Sequence, residues 1–88
     1  MARAGRIRVL LVDDQTMVRQ GLRSALESYS NIEVVGEADD GDTAVVDAAT
    51  LQPAVIVMDI AMSKMDGITA TRLIKAQHPQ IVIIGLSV

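Results

Sequence analysis

Ala54-Val55-Ile56-Val57-Met58-Asp59 is a short aliphatic run that stops on an acid, and Ile7-Arg8-Val9-Leu10-Leu11-Val12-Asp13-Asp14 repeats the pattern near the amino terminus. Both runs are rich in β-branched and aliphatic residues, the composition of strands covered on two faces, as in a parallel sheet. Working outward from them, Val18, Leu22, Ala25, Leu26 and Tyr29 recur at helical spacing, with Arg19, Gln20, Arg23 and Glu27 between them. That spacing predicts a helix from about Gln15 to Ser28. Ser30-Asn31 marks a turn, and Ile32 to Gly36 reads as a second, more exposed strand. Asp39-Asp40-Gly41-Asp42 offers a loop, an N-cap and an acidic first turn for a helix running through Thr50, which Pro53 closes. Beyond Asp59, a loop through Asp66-Gly67 leads to a helix from about Ile68 to Gln77 with Ala70, Leu73 and Ile74 on one face. His78-Pro79-Gln80 breaks that helix, and Ile81 to Leu86 forms a fourth strand. Strand and helix therefore alternate. Connection rules turn that order into an α/β doubly wound parallel sheet of four strands and three helices, with right-handed crossovers and helices on both faces.

Eighty-eight residues suffice for one domain. Half of them are hydrophobic, yet there is one Tyr and no Phe or Trp, so the core is built from Val, Ile, Leu, Ala and Met. A formal charge of −3 argues against nucleic acid or an anionic membrane as a direct partner. The absence of cysteine excludes a disulfide framework, a thiolate metal site and a cysteine nucleophile, and fits a cytoplasmic location. The apolar run Ile7 to Val12 is interrupted by Arg8 and is far too short for a secretory or membrane-spanning segment.

In an open parallel sheet, functional groups gather at the carboxyl ends of the strands. Asp13 and Asp14 follow the first strand, Asp59 the third and Ser87 the fourth, so three carboxylates and a hydroxyl converge from distant parts of the chain. Three neighbouring carboxylates repel one another unless a cation joins them. With only oxygen ligands at hand, the set favours Mg²⁺, with Mn²⁺ also suited, over zinc. Magnesium commonly binds phosphate oxygens, and an aspartate can act as the nucleophile that forms an acyl phosphate.

Plainer roles compete at each position. Asp14 could N-cap the first helix. A buried unpaired acid after an apolar strand would cost about 1 to 3 kcal/mol or more, which disfavours a purely structural role for Asp13 or Asp59. Ser87 alone is uninformative, since serine often follows a strand. His78 reads as an exposed loop residue, Met62 and Met65 as loop anchors on the core, and Asp66-Gly67 as a turn and helix start.

The set Leu11-Val12-Asp13-Asp14, Val57-Met58-Asp59-Ile60-Ala61-Met62, Met65-Asp66-Gly67 and Gly85-Leu86-Ser87 resembles response-regulator receiver domains. Val18-Arg19-Gln20-Gly21-Leu22 and Val34-Val35-Gly36-Glu37-Ala38 look like the NarL/FixJ branch, whose members usually carry a carboxyl-terminal helix-turn-helix DNA-binding output domain. The resemblance implies a flavodoxin-like fold, a self-catalysing phosphoacceptor rather than an enzyme in the usual sense, and a histidine kinase as phosphodonor. It implies Asp59 as phosphoacceptor, Asp14 and Asp59 as Mg²⁺ ligands, Asp13 acting mainly through water, the Ala61 backbone carbonyl as a further ligand and Ser87 as the switch hydroxyl. Ser63 stands where the family commonly has proline, which should loosen that loop modestly.

On this resemblance residues 1–88 correspond to the amino-terminal three-quarters of a receiver, ahead of a fifth strand ending in a lysine and two further helices. DNA would then be reached only through an output domain outside these residues. Without the lysine phosphotransfer should weaken, and the apolar fourth strand, Ile81-Val82-Ile83-Ile84, should self-associate along its edge. A phosphorylation-impaired assembly or dimerisation module is accordingly the alternative. A haloacid-dehalogenase-type phosphatase also uses a strand-end aspartate, but it resembles Asp-x-Asp, whereas Asp13 is followed by Asp14 and Gln15.

Overall fold

The computed structural model describes residues 5–62 and 66–86. Its elements are β1 (Ile7–Val12), α1 (Thr16–Glu27), β2 (Ile32–Ala38), α2 (Gly41–Leu51), β3 (Val55–Asp59), α3 (Gly67–Gln77) and β4 (Val82–Leu86), in the order expected and within a residue or two of the expected bounds. The sheet order is β2-β1-β3-β4, with every pairing parallel. Strand order reverses between β1 and β3, and the register Val12↔Met58 brings the ends of the two decisive runs side by side. β1 shifts register against β2 between Val9 and Leu10, so that Val34 faces Val9 but Gly36 faces Leu10.

Side-chain alternation along β1 divides the core in two. Leu10 and Val12 join Ile56 and Met58 of β3, Ala44 and Ala48 of α2, and Ala70 and Ile74 of α3 in one apolar layer. Val9 and Leu11 join Val34 on the other face, against Leu22 and Leu26 of α1. Small alanines on α2 let it sit close to β2, β1 and α3. Met62 is buried in the first layer, as the anchor role required.

The structure adds three local details, the last of which corrects an expectation. α1 has no buried residue: Val18 is 36 % exposed and Tyr29, just beyond the helix, 60 %, so the apolar stripe rests only partly on the sheet. The uncovered remainder of that sheet face lies on β4, where Val82 and Ile84 are exposed beside their register partners Val55 and Val57. Asp14 does not cap α1. The N-cap position is Gln15, which makes no side-chain cap bond, and the local carboxylate bond comes from Asp13, whose Oδ1 accepts from the Gln15 amide at 2.8 Å. His78 is half-buried rather than exposed, and its Nε2 is sequestered without a hydrogen-bond partner among the described residues. Pro79 excludes His78 from helical geometry, so the chain turns there and His78 becomes the α3 C-cap, its amide donating to the Ile74 carbonyl.

The other two helix starts follow the expected chemistry. Asp40 accepts from the Thr43 amide at 2.8 Å and Asp66 from the Thr69 amide at 2.7 Å. Among the described residues no helix is long and apolar enough to cross a membrane.

Candidate phosphoryl and metal site

Asp13 and Asp59 leave the ends of adjacent strands and are buried, at 5 % and 8 % exposure, while Asp14 faces solvent. One carboxylate oxygen from each of Asp13, Asp14 and Asp59 lies within 4.8 Å of the others. The convergence expected of the three carboxylates is therefore present. Each buried acid is oriented by the chain just after it: Asp13 Oδ1 by the Gln15 amide, and Asp59 Oδ1 by the Ala61 amide at 2.9 Å. This pattern ties up one oxygen of each and leaves the other for the cleft. Ser87, Met65 and Ser63 lie outside the described residues.

Asp59 is also held from its far side. The Ile60 amide donates to the Leu86 carbonyl of β4, and the Gly67 amide to the Ile60 carbonyl. Gly67 lies so close to this backbone that a Cβ added there would overlap Ile60 Cα and fall 2.5 Å from the Asp59 carbonyl oxygen. Sequence shows Asp66-Gly67 as a turn; the structure makes the glycine the reason α3 can start against the site loop.

The donor set fits a hard divalent cation. Two of the three carboxylates are withdrawn from water, and among the described residues the ion pairs are Arg19–Glu37, Arg23–Glu27 and Arg23–Glu37, none of which neutralises the cluster. Charge of one sign at these separations favours a cation, and all-oxygen donors suit a hard divalent ion such as Mg²⁺.

Those three ion pairs form a network that the sequence does not announce. Arg19 of α1 binds Glu37 of β2 at 3.0 Å, and Arg23 binds the other Glu37 oxygen at 2.6 Å. The Arg23 hydrogen bond, helped by Arg19, holds the Glu37 carboxyl below its ordinary pKa against the opposing effect of burial. Because the folded value lies below the unfolded one, this stabilisation is present above the unfolded carboxylate pKa and is lost as pH falls through the folded value. Denaturant unfolding of the native chain and Glu37→Gln should therefore differ most near neutral pH and converge in acid. A gap unchanged by acid would contradict the assignment.

An α/β domain with strand-end acids gathered at the reversal of a parallel sheet defines a class of cation-assisted, phosphate-handling folds. The comparisons narrow the class. The family described as response regulator receiver domain matches residues 9–88. Transcriptional regulatory protein LiaR of Bacillus subtilis is 50 % identical over 80 residues, covering 89 % of this chain and 38 % of LiaR. Response regulator protein VraR of Staphylococcus aureus is 48 % identical over 81 residues, covering 92 % of this chain and 39 % of VraR. Among solved structures, the response regulator domain of Thermotoga maritima CheB superposes with a TM-score of 0.84 at 41 % identity, over 91 % of this chain and 60 % of that one. A LuxR-family two-component response regulator from Aurantimonas sp. SI85-9A1 gives 0.87 at 34 % identity, over 91 % of this chain and 57 % of that one. The chain belongs to the response-regulator receiver family of two-component signalling. It spans about two-fifths of the length of the curated relatives LiaR and VraR, at 38 % and 39 %.

Proposed function

We propose that Asp59 is the phosphoacceptor, and that the chain takes a phosphoryl group from a histidine kinase in the cytoplasm and relays its phosphorylation state to a DNA-binding output domain. The observation that carries this reading is the meeting of Asp13, Asp14 and Asp59 oxygens within 4.8 Å at the β1/β3 reversal, two of them on buried residues.

Asp14, Asp59 and the Ala61 carbonyl would hold Mg²⁺, with Asp13 acting through water. Bound there, the ion supplies charge neutralisation for the incoming phosphoryl oxygens. The chain's own residues do the rest. The Ala61 amide fixes one Asp59 oxygen and leaves the other to attack. That oxygen forms a bond to phosphorus while the phosphorus–nitrogen bond of the donor phosphohistidine breaks and the leaving imidazole takes a proton. Ser87 is the hydroxyl assigned to sense the new phosphoryl group. The activity is self-phosphorylation at one site rather than turnover of a released substrate.

Incubating the chain with acetyl phosphate and Mg²⁺ should add one phosphoryl mass, and a chelator should prevent the gain. No gain in Mg²⁺, or an equal gain in chelator, would contradict the reading. The exposure of Val82 and Ile84 favours a second reading, self-association along β4 independent of phosphate. Sedimentation that shows a monomer at high concentration would rule it out.

A further inference from the structure

We infer that Arg19 is a positioning residue for the acidic site: its guanidinium fixes the backbone of Asp13 from α1 and so presents the Asp13 carboxylate to the cation. The inference rests on the proposed metal and phosphoryl site and concerns a residue outside the acidic cluster.

Asp13 is anchored at three points. Its amide donates to the Ala38 carbonyl at 3.1 Å, which extends the β1–β2 pairing. Its side-chain Oδ1 accepts from the Gln15 amide at 2.8 Å. Its carbonyl accepts from Arg19 Nη1 at 2.5 Å. The same guanidinium donates from Nε to Glu37 Oε1 at 3.0 Å and reaches the Thr16 hydroxyl from Nη2 at 3.5 Å. Three nitrogens of one planar group therefore bind three different elements: the end of β1, β2 and the first turn of α1. A guanidinium holds its donors in a fixed fork, so these bonds constrain one another in a way that a single ammonium would not.

The charge arrangement supports a positional role. Arg19 is only 14 % exposed at its side chain, and a bare cation this near the acidic cluster would compete with a bound metal for the carboxylate field. Glu37 accepts from both Arg19 and Arg23, and Glu27 accepts from Arg23, so two arginines meet two glutamates. The network is neutral, and Arg19 contributes geometry to Asp13 without draining negative charge from the site. Arg23 shares Glu37 but makes no bond to Asp13. Arg23 is thus the internal control, equal in its carboxylate partner and different in the one contact at issue.

Outer partners of metal ligands set affinity by orienting them, and their loss typically costs about 10- to 100-fold in metal binding. Mn²⁺ binding, followed by loss of the free-ion EPR signal on titration, should weaken by about tenfold or more in Arg19→Ala. Arg19→Lys should recover part of that loss, and Arg23→Ala should bind as the native chain does. Affinity in Arg19→Ala equal to native, or an equal loss in Arg23→Ala, would overturn the inference. If Arg19→Ala does not fold, Arg19→Lys against Arg23→Ala decides the matter: weaker binding in the lysine variant supports the role, and equal binding rejects it. Native binding that Asp59→Asn leaves unchanged would instead show that the acidic cluster is not the metal site.

Discussion

Asp59→Asn is expected to abolish phosphoryl uptake while leaving the domain folded. Asparagine keeps an oxygen that can accept the Ala61 amide, so the turn after β3 survives, but it lacks a carboxylate nucleophile. The same substitution removes one of three like charges whose oxygens lie within 4.8 Å. Unit charges about 4 Å apart repel by about 1 kcal/mol even in water, and by more where solvent is excluded. Without divalent ion the variant should therefore melt above the native chain. With Mg²⁺ the order should narrow or reverse, because ligand at about 100 times its Kd stabilises a native site by about 2.7 kcal/mol and the variant forfeits most of that gain. Thermal melts of both proteins in chelator and in Mg²⁺ measure this crossing. Parallel curves under both conditions would show that Asp59 does not share a cation with Asp13 and Asp14.

Gly67→Ala should be the most damaging single-methyl change at the site. The added carbon would overlap the backbone at Ile60 and the Asp59 carbonyl, and backbone cannot swing aside as a flexible side chain can. Overpacking of this kind costs about 1 to 3 kcal/mol, or more where the backbone is involved. The Gly67 amide bond to the Ile60 carbonyl should be lost as α3 backs away, which moves the loop that carries Ala61. Chemical denaturation should report the stability loss, and Mn²⁺ titration a weaker site. Gly21, whose added Cβ meets nothing within 4 Å, is the control: Gly21→Ala should be neutral or stabilising, since alanine is the better residue in a helix. Equal stability of the two variants would contradict the close-approach account.

Much of this architecture was legible because it rests on short-range pattern. β1 and β3 are continuous aliphatic runs, and their shared acidic endings announced both strand direction and site, since a parallel sheet places like ends together. Asp40 and Asp66 were readable as helix starts for the same local reason. What escaped depends on contacts that no window along the chain contains. Arg19 and Glu37 lie 18 residues apart, and only the packing of α1 beside β2 makes them partners. The sequence offers only a weak hint, Arg19 and Arg23 four residues apart on one helix face, and does not say which acid they meet. A capping role competed with the metal-ligand role at Asp14 because it precedes a helix, but Asp13 takes the local bond and leaves Asp14 exposed at the cluster. The periodicity of α1 predicts a helix and shows which way it faces, and not how much surface the sheet offers it. The exposure of Tyr29 and Val18 follows from that difference.

The central claim is that Asp59 receives a phosphoryl group under the control of the cation held with Asp13 and Asp14. Its most direct test is to phosphorylate the chain with acetyl phosphate and Mg²⁺, reduce with borohydride, which converts an aspartyl phosphate to homoserine, and locate the converted residue by peptide mass. Homoserine at position 59, absent when chelator replaces Mg²⁺, is the expected result. Conversion at Asp13, Asp14 or elsewhere, or no conversion in Mg²⁺, would contradict it.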